Sequence, residues 1–264
     1  WAVRAFLPQA AAVSLVYPGG ASPMTQVHPQ GIFVAAMTHN PAAYKFRVTD
    51  HDGRIYEVED PYRFPPLLTD FDLHLHGEGT HYEAYRTFGA HLETVAGVSG
   101  TRFAVWAPNA QVVSLVGNFN NWDARCHPMR LRSGGVWEVF LPGIGAGEPY
   151  KYAVKSQFHD YSQMKADPYG FAMEIPPKSA SVVWDVHHYQ WQDHQWLQER
   201  ASKDWLANPI SIYELHLGSW LRGEQNRTLS YRELAEKLVS YVKTMGYTHV
   251  ELMPITEHPF YGSW

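Results

Sequence analysis

The sequence predicts a multidomain protein in which two immunoglobulin-like all-β sandwiches are followed by a βαβ unit. Three observations support this prediction: an internal repeat, short alternating apolar segments within each copy, and a capped helix pattern between two strand patterns near the last residues. The chain has 264 residues, which is long enough for two ordinary domains and a little more.

The internal repeat consists of four blocks that recur in the same order. Residues 1–16 read WAVRAFLPQAAAVSLV, and residues 101–116 read TRFAVWAPNAQVVSLV. The later blocks pair Gly31 and Phe33 with Gly135 and Trp137, YKF at residues 44–46 with YKY at residues 150–152, and DPY at residues 60–62 with DPY at residues 167–169. The offset grows from 100 (1 to 101) to 107 (60 to 167), as short loop insertions would produce. We therefore predict two tandem copies of one module, with Pro8 superposed on Pro108 and Tyr44 on Tyr150.

Each copy has the alternation that is typical of half-buried β-strands. In the first copy, Val3, Ala5 and Leu7 alternate with Ala2, Arg4 and Phe6. In the second copy, residues 112–116, 136–141 and 150–154 are strand patterns. Strands this short, separated by Gly, Pro and Asn, are typical of a sandwich. We expect the cores to contain Val13, Leu15, Val113 and Leu115.

The segment GNFNNW at residues 117–122 allows two interpretations. Its Asn and Gly residues predict a turn between strands, with Phe119 and Trp122 buried. The alternative is a sugar-binding site, a role for which Trp106 and Trp137 are competing candidates. Aromatic rings stack on the C–H faces of sugars, but the sequence does not distinguish exposed rings from buried ones.

Two segments predict connections between the structured parts of the chain. Residues 60–98 contain polar and glycine-containing stretches and predict the connection between the copies. Residues 182–208 are rich in Trp, His and Gln, have no clear period, and predict a linker that lies across the next domain.

The last part of the chain predicts a helix between two strands. Strand patterns at residues 210–217 and 249–253 flank a helix that begins with a capping box of Ser230 and Glu233 and ends at Gly246. Its apolar face consists of Leu234, Leu238, Tyr241, Val242 and Met245. A strand, helix and strand in this order imply a parallel pair with a right-handed crossover.

Composition excludes several classes of partner. The net charge of −5 gives no electrostatic reason to expect a nucleic-acid partner. The apolar runs fall far short of the ~20 residues that span a bilayer, and no signal peptide is visible, so we expect no membrane partner. The single cysteine, Cys126, favours a cytoplasmic location. Aromatic residues make up 14% of the chain, which fits a glycan ligand but is also typical of β-sandwiches.

Specific motifs resemble a known family. With GNFNNW at 117–122, GVW at 135–137 and YKY at 150–152, the second copy resembles the starch-binding-type module of branching and debranching enzymes. IYELHLGSW at 212–220 and ELMPITEHPF at 251–260, followed by GSW at 262–264, resemble the first two strands and loops of an α-amylase-type barrel. In this form the match is to bacterial 1,4-α-glucan (glycogen) branching enzymes.

The resemblance implies an architecture and an activity. Residues 1–85 would be a first β-sandwich module, 86–190 a second, carbohydrate-binding module, and 191–264 a linker with the beginning of a catalytic (β/α)8 barrel, truncated after its first βαβ unit. The activity it implies is the transfer of α-1,4-glucan segments to a 6-hydroxyl by retaining double displacement. The alternatives are a related debranching or trehalose-releasing hydrolase, or a glycan-binding module without catalysis.

The resemblance also implies where the reaction would occur. The catalytic Asp and Glu of this family lie on later strands, beyond Trp264, so we expect no catalytic residue and no activity in this chain. Because barrel active sites lie in the loops after the strands, we predict that Glu257, His258, Tyr261 and Trp264 contact an α-glucan. The alternative is a rigid loop that packs below the cleft. The chain begins at Trp1 and not at Met, so we expect preceding residues; we also expect a monomer without a cofactor.

The remaining polar candidates favour structural roles. Alternation in the first strand predicts that Glu214 and His216 point into the barrel, together with Glu251 of the second strand, as hydrogen-bonded interior residues. The histidine pairs raise the question of a metal site, but no further ligand follows at zinc-site spacing, so we expect no metal. These pairs are His74 with His76, and His187 with His188.

Overall fold

The computed structural model describes residues 1–41 and 43–256. The chain divides into two compact units, Trp1–His188 and Tyr189–Trp264. Most of the first unit is antiparallel β-structure, and the second unit contains a parallel strand pair with helices. In the described residues, no helix is long and apolar enough to cross a membrane.

The first seven strands form two antiparallel sheets, with the strand orders β1-β5-β4 and β3-β2-β6-β7. The strands are β1 (Ala2–Phe6), β2 (Ala10–Tyr17), β3 (Gly20–Pro23), β4 (Thr25–His28), β5 (Ile32–Ala36), β6 (Lys45–Asp50) and β7 (Ile55–Glu59). Val13, Leu15, Phe33 and Val48 are buried in their shared core. Burial of these apolar side chains supplies the driving force for pairing the two sheets.

The next nine strands form a second pair of antiparallel sheets. The strands are β8 (Gly89–Val95), β9 (Val98–Trp106), β10 (Ala110–Gly117), β11 (Arg130–Leu131), β12 (Val136–Pro142), β13 (Pro149–Ser156), β14 (Ser162–Lys165), β15 (Ala172–Met173) and β16 (Ser181–Val182). Their orders are β11-β12-β9-β8 and β10-β13-β16-β15, with β14 also paired with β13. Phe103, Val113, Leu115, Tyr150 and Tyr152 are buried in the core.

Strand order and register are repeated between these two halves. The pairs β1-β5 and β2-β6-β7 recur as β9-β12 and β10-β13-β14. Leu15 lies opposite Phe46, and Leu115 lies opposite Tyr152 at the corresponding position. The strands β2 and β10 also share a register shift near their first residues, between Ala10 and Ala12 in β2. The predicted core residues of both copies are buried.

A close contact between proline and glycine also occurs in both halves. Gly31 has φ +96° and Gly135 has φ +78°, a conformation that is costly for residues with a side chain. A Cβ atom on Gly31 would lie 2.5 Å from Cα of Pro8, and one on Gly135 would lie 2.5 Å from Cα of Pro108. The glycines are therefore required both for conformation and for space.

We predict that Gly135→Ala destabilises the first unit much more than Gly134→Ala does. Gly134 has φ +70°, but nothing lies within 4 Å of the position that a Cβ would take, so alanine there adds conformational strain alone. That strain costs about 1–2 kcal/mol. Alanine at 135 adds a backbone clash, which brings the loss of unfolding free energy to about 3 kcal/mol or more. Urea unfolding of both variants measures the difference. Equal losses would show that the contact with Pro108 is not tight.

A buried aspartate accepts tyrosine hydrogen bonds at the end of each half. The Tyr44 hydroxyl donates to Asp60 at 2.5 Å, and the Tyr150 and Tyr152 hydroxyls donate to Asp167 at 2.6 and 3.0 Å. Burial raises the pKa of both carboxyl groups above the ordinary value, although the tyrosine hydrogen bonds act in the opposite direction. These contacts fix the chain where it leaves each pair of sheets.

The connection predicted at residues 60–98 includes elements of regular structure. It contains helix α1 (Asp70–Glu78) and the edge strand β8. The helix begins with a capping box of Thr69 and Asp72 and ends at Gly79 in the left-handed conformation. Its only buried residue is Leu73, so the helix lacks the long apolar stripe by which a helix is recognised in a sequence.

The turn at residues 117–122 is present, but its buried side chain differs from the prediction. Phe119 and Trp122 are only partly buried, whereas Asn120 is buried. The Asn120 side chain donates to the Leu115 carbonyl at 2.9 Å, contacts His127 Nδ1 at 2.8 Å, and accepts from the Gly117 amide. A polar side chain occupies this position because it satisfies three otherwise unpaired groups.

The second unit contains the predicted helix between two parallel strands. Its elements are α2 (His194–Ala201), β17 (Ile212–Leu215), α3 (Leu217–Trp220), α4 (Tyr231–Met245) and β18 (His249–Leu252). Strands β17 and β18 are parallel. The capping box of Ser230 and Glu233 and the left-handed Gly246 bound α4 as predicted. Helix α2 lies within the segment that was predicted to be a linker.

We predict that β17 and β18 exchange amide protons faster than β10. All four residues of β18 are exposed and only Leu215 of β17 is buried, whereas most of β10 is buried. Sparse burial allows local opening at a low free-energy cost. Hydrogen exchange followed by mass spectrometry measures both regions in one sample. Equal protection of β17 and β10 would contradict the prediction.

Candidate functional site

The four predicted glucan-contacting residues lie outside the described residues, so their role stays a prediction. They are Glu257, His258, Tyr261 and Trp264. The described part of their loop leaves β18 with a hydrogen bond from the Met253 amide to the Leu215 carbonyl at 3.0 Å. The Tyr231 hydroxyl donates to the Ile255 carbonyl at 3.3 Å, which links the same loop to the first turn of α4.

The two faces of the parallel strand pair differ in character. Tyr213 and Leu215 pack with Leu234 of α4, on the helix side of the pair. Glu214 and Glu251 occupy paired register positions on β17 and β18, and both are exposed. Two neighbouring carboxylates repel each other unless a hydrogen-bond donor lies between them. Donors from further residues on this face would therefore stabilise the pair of glutamates.

The loop after β17 is held by side-chain hydrogen bonds. His216 Nδ1 lies 2.8 Å from the Ser219 hydroxyl, and Trp220 Nε1 donates to the Tyr213 hydroxyl at 2.8 Å. Arg227 binds both carboxylate oxygens of Glu233, and this guanidinium lowers the pKa of Glu233 to about 2. Glu233 is therefore a permanent acceptor that stabilises the helix start, and not a proton donor.

The histidine pairs make packing and surface contacts. The His76 ring lies 4.5 Å from the ring of Phe88 and 5.5 Å from that of Trp106. His74 faces Glu78 one turn along α1, and the His188 ring packs edge-on against Trp184. Within residues 1–41 and 43–256, no group of three or more His, Cys, Asp or Glu side chains is arranged to hold a metal ion.

The structure distinguishes the two competing tryptophans. Trp137 is 5% exposed, and its Nε1 donates to the Ala107 carbonyl inside the core. Trp106 is 51% exposed, although its Nε1 is fixed by the Gly134 carbonyl at 2.9 Å and its ring contacts His76. Trp106 therefore presents a fixed, accessible aromatic surface. No sequence signal separated the two, because both tryptophans lie at strand ends in similar surroundings.

Two adjacent parts of the chain match carbohydrate-related families. Residues 1–62 match the family described as the alpha-1,4-glucan branching enzyme GlgB, N-terminal domain. Residues 87–170 match carbohydrate-binding module 48, the isoamylase N-terminal domain. The first unit is therefore similar to two families of N-terminal domains that are named after carbohydrate-related proteins.

Curated relatives extend the similarity to the whole chain. The 1,4-alpha-glucan branching enzyme GlgB of Rubrobacter xylanophilus is 52% identical over 99% of this chain and 36% of its own length. Those of Paramagnetospirillum magneticum and Synechocystis sp. are 49% and 48% identical, over 99% and 100% of this chain and 36% and 37% of their own lengths. The chain is thus homologous to GlgB branching enzymes and spans little more than a third of their length.

Proposed function

We propose that this chain is part of a 1,4-α-glucan branching enzyme. The complete enzyme transfers a segment of α-1,4-glucan to a 6-hydroxyl of a glucan chain and so makes an α-1,6 branch. The observation that carries the proposal is the identity of 52% to one such enzyme over 99% of the chain. The two family matches occur in one chain and in an order that agrees with this assignment.

We propose the corresponding division into domains: a first module at 1–85, a second module at 86–190, and a linker with the start of a (β/α)8 barrel at 191–264. The repeated strand order and register support two immunoglobulin-like modules that arose by duplication. The parallel pair β17-β18, with α4 between them, supports the barrel assignment because parallel strands joined by helices are the repeating unit of that fold.

The proposed reaction needs two carboxyl groups with different roles. In a retaining mechanism one carboxylate attacks the anomeric carbon and a carboxylic acid protonates the leaving oxygen, at a separation of about 5–5.5 Å. A glucan 6-hydroxyl, deprotonated by the same acid/base, then replaces the enzyme at that carbon. We assign both groups to later barrel strands, and we assign Glu214 and Glu251 to hydrogen bonding inside the barrel.

We predict that the chain of 264 residues makes no α-1,6 linkages. It is incubated with amylose, and new branches are counted by enzymatic debranching and analysis of chain lengths. A longer form of the protein that continues through the remaining barrel strands is the positive control and should make branches. Branches made by the short chain above a sample without protein would contradict the assignment of the catalytic residues. Absence of branching by the longer form would contradict the proposed function.

Within the modules, we propose that Trp106 contacts α-glucan. Its ring is exposed yet fixed, so little side-chain entropy is lost when a sugar stacks on it. The loop residues Glu257, His258, Tyr261 and Trp264 stay proposed glucan contacts of the second unit. The expected monomeric state, the cytoplasmic location, and the absence of nucleic-acid and membrane partners stay predictions.

We predict that Trp106→Ala weakens the binding of amylose about ten-fold. Removing the exposed half of a tryptophan ring forfeits about 1.5 kcal/mol of apolar burial in the complex. Affinity electrophoresis in gels that contain amylose measures the change. The matched control is Tyr82→Ala, which removes a ring that is 91% exposed and should leave binding unchanged. A similar retardation of wild type and Trp106→Ala would exclude this contact.

A further inference from the structure

The loop after β18, which begins at Met253, lies at the same end of the strand pair as the start of α4. Because β17 and β18 are parallel, the chain leaves both strands at the same end. Helix α4 follows β17 and precedes β18, so it begins at that end and runs back along the sheet. In a (β/α)8 barrel this is the face that carries the active site. The first residue of α4, Tyr231, therefore lies at the face where the loop begins.

The start of α4 is fixed by polar contacts that do not involve the Tyr231 side chain. Glu233 accepts hydrogen bonds from the amide and the hydroxyl of Ser230, both at 2.9 Å, and from the Arg227 guanidinium at 2.6 and 3.0 Å. The Gly223 amide donates to the Arg227 carbonyl at 2.9 Å, which closes the preceding turn. The backbone of the first helical turn is therefore held in place, and the Tyr231 side chain extends from a fixed point.

Neither core packing nor helix capping accounts for a tyrosine at position 231. Its ring is 62% exposed, whereas Leu234 in the same turn is 1% exposed and anchors the helix. The capping groups at this helix start belong to Ser230 and Glu233, and tyrosine is only a moderate helix former. What distinguishes tyrosine at this position is a hydroxyl donor at the end of a long, rigid side chain.

The Tyr231 hydroxyl joins α4 to the loop after β18. It donates to the Ile255 carbonyl at 3.3 Å. Ile255 lies two residues beyond Met253, whose amide donates to the Leu215 carbonyl at 3.0 Å and extends the contact between the strands. Pro254 lies between them and has no amide hydrogen to donate. The loop therefore passes from support by the sheet to support by the Tyr231 hydroxyl within two residues.

We propose that Tyr231 is a positioning residue for glucan binding at the barrel, because its hydroxyl holds the start of the loop after β18. The function of the loop rests on the proposed function, since this is the loop to which the four glucan contacts are assigned. The role of Tyr231 rests on its hydrogen bond to Ile255 and on its exposure. Tyr231 takes no part in bond making or proton transfer. A loop that is held before the substrate arrives loses less conformational entropy on binding.

We predict that Tyr231→Phe raises KM for amylose about five-fold in the longer form that continues through the remaining barrel strands. Phenylalanine keeps the ring and removes the donor, and one neutral hydrogen bond is worth about this factor. The constant kcat should stay within about two-fold of wild type, because the substitution changes binding and not the chemical step. Branching rates at a series of amylose concentrations give both constants. An unchanged KM would overturn the proposal, and so would a loss confined to kcat.

The matched control is Tyr247→Phe. Tyr247 immediately follows Gly246 at the end of α4, so it lies at the other end of the helix, and its ring lies 4.9 Å from that of Tyr213. Phenylalanine keeps this ring contact and removes one hydroxyl, as Tyr231→Phe does. Both kinetic constants of the control should equal those of wild type. A comparable rise in KM in the control would exclude a specific role for the Tyr231 hydroxyl.

A second substitution separates positioning from direct contact with sugar. Tyr231→Ala removes the ring as well as the hydroxyl. If the hydroxyl acts through Ile255, Tyr231→Ala and Tyr231→Phe should raise KM by similar factors. If the exposed ring itself stacks on a sugar, Tyr231→Phe should bind amylose as wild type does and Tyr231→Ala alone should be impaired. The latter result would overturn the proposal.

Stability and hydrogen exchange separate positioning from general structural support. Because Tyr231 is exposed, Tyr231→Phe should leave Tm of the longer protein unchanged, while amides of the loop after β18 exchange faster than in wild type. Hydrogen exchange with mass spectrometry measures this loop and α4 in the same sample. Wild-type exchange of the loop would show that the hydroxyl does not hold it. A lowered Tm with faster exchange throughout α4 would assign Tyr231 to the stability of the unit and would equally contradict the proposal.

The positioning role and the proposed function fail in different ways. If the longer wild-type protein makes no α-1,6 linkages, the proposed function is overturned, and the exchange measurement still decides whether Tyr231 holds the loop. If wild type makes branches and Tyr231→Phe has the KM of wild type, the function stands and the positioning role is overturned.

Discussion

The structure of the first unit depends on the buried aspartate at the end of each β-half. Asp167 accepts three hydrogen bonds, from the hydroxyls of Tyr150 and Tyr152 and from the Tyr169 amide. Without this acceptor two buried phenols would be unpaired, at a cost of about 1–3 kcal/mol each. The same contact holds Tyr169 against Phe88, with the two rings stacked at 5.2 Å. It therefore also fixes the segment that enters β8.

The corresponding aspartate of the first half sets the geometry between the halves. Asp60 accepts from the Tyr62 amide at 2.8 Å, which directs the chain so that the Tyr62 hydroxyl reaches the second half. Further along, the Leu68 amide donates to the buried Glu138 at 2.9 Å, and Arg132 pairs with the same carboxylate at 2.6 Å. A buried carboxylate with both a cation and an amide donor is well satisfied, so the connection is held to the sheet as a structured layer.

Local signals in the sequence predicted some features, and others depended on distant contacts. The Ser230 capping box, the Gly246 helix end and the core positions of β2 and β10 follow from short-range patterns, and the structure has them. Helix α1 was missed because it buries only Leu73 on its own and is stabilised by a sheet that is distant in sequence. The buried position of Asn120 was missed for a similar reason: its partner His127 lies seven residues away, and burial lowers the pKa of this histidine to about 4, which keeps it neutral as a partner.

Local sequence patterns predicted even less about the candidate sites than about the fold. Sequence motifs pointed to the loop after β18, and that loop extends outside the described residues. The choice between Trp106 and Trp137 required coordinates, because exposure depends on which sheet face a neighbouring segment covers. The cleft between the two halves of the first unit gave no sequence signal, since its lining brings together residues that are distant in the sequence, such as Arg4 and Asp123.

The two halves of the first unit differ at their sheet edges and not in their cores. Both halves share strand order, register and the proline–glycine contact, so their cores impose the same packing requirements. They differ at the sheet edges: β8 pairs with β9 in the second half, whereas the outer edge of β1 has no partner strand among the described residues. Core positions are constrained by packing, whereas an edge can gain or lose a strand with little effect on the core. The edge of β1 and the corresponding edge of β9 can therefore differ, although the two cores are built alike.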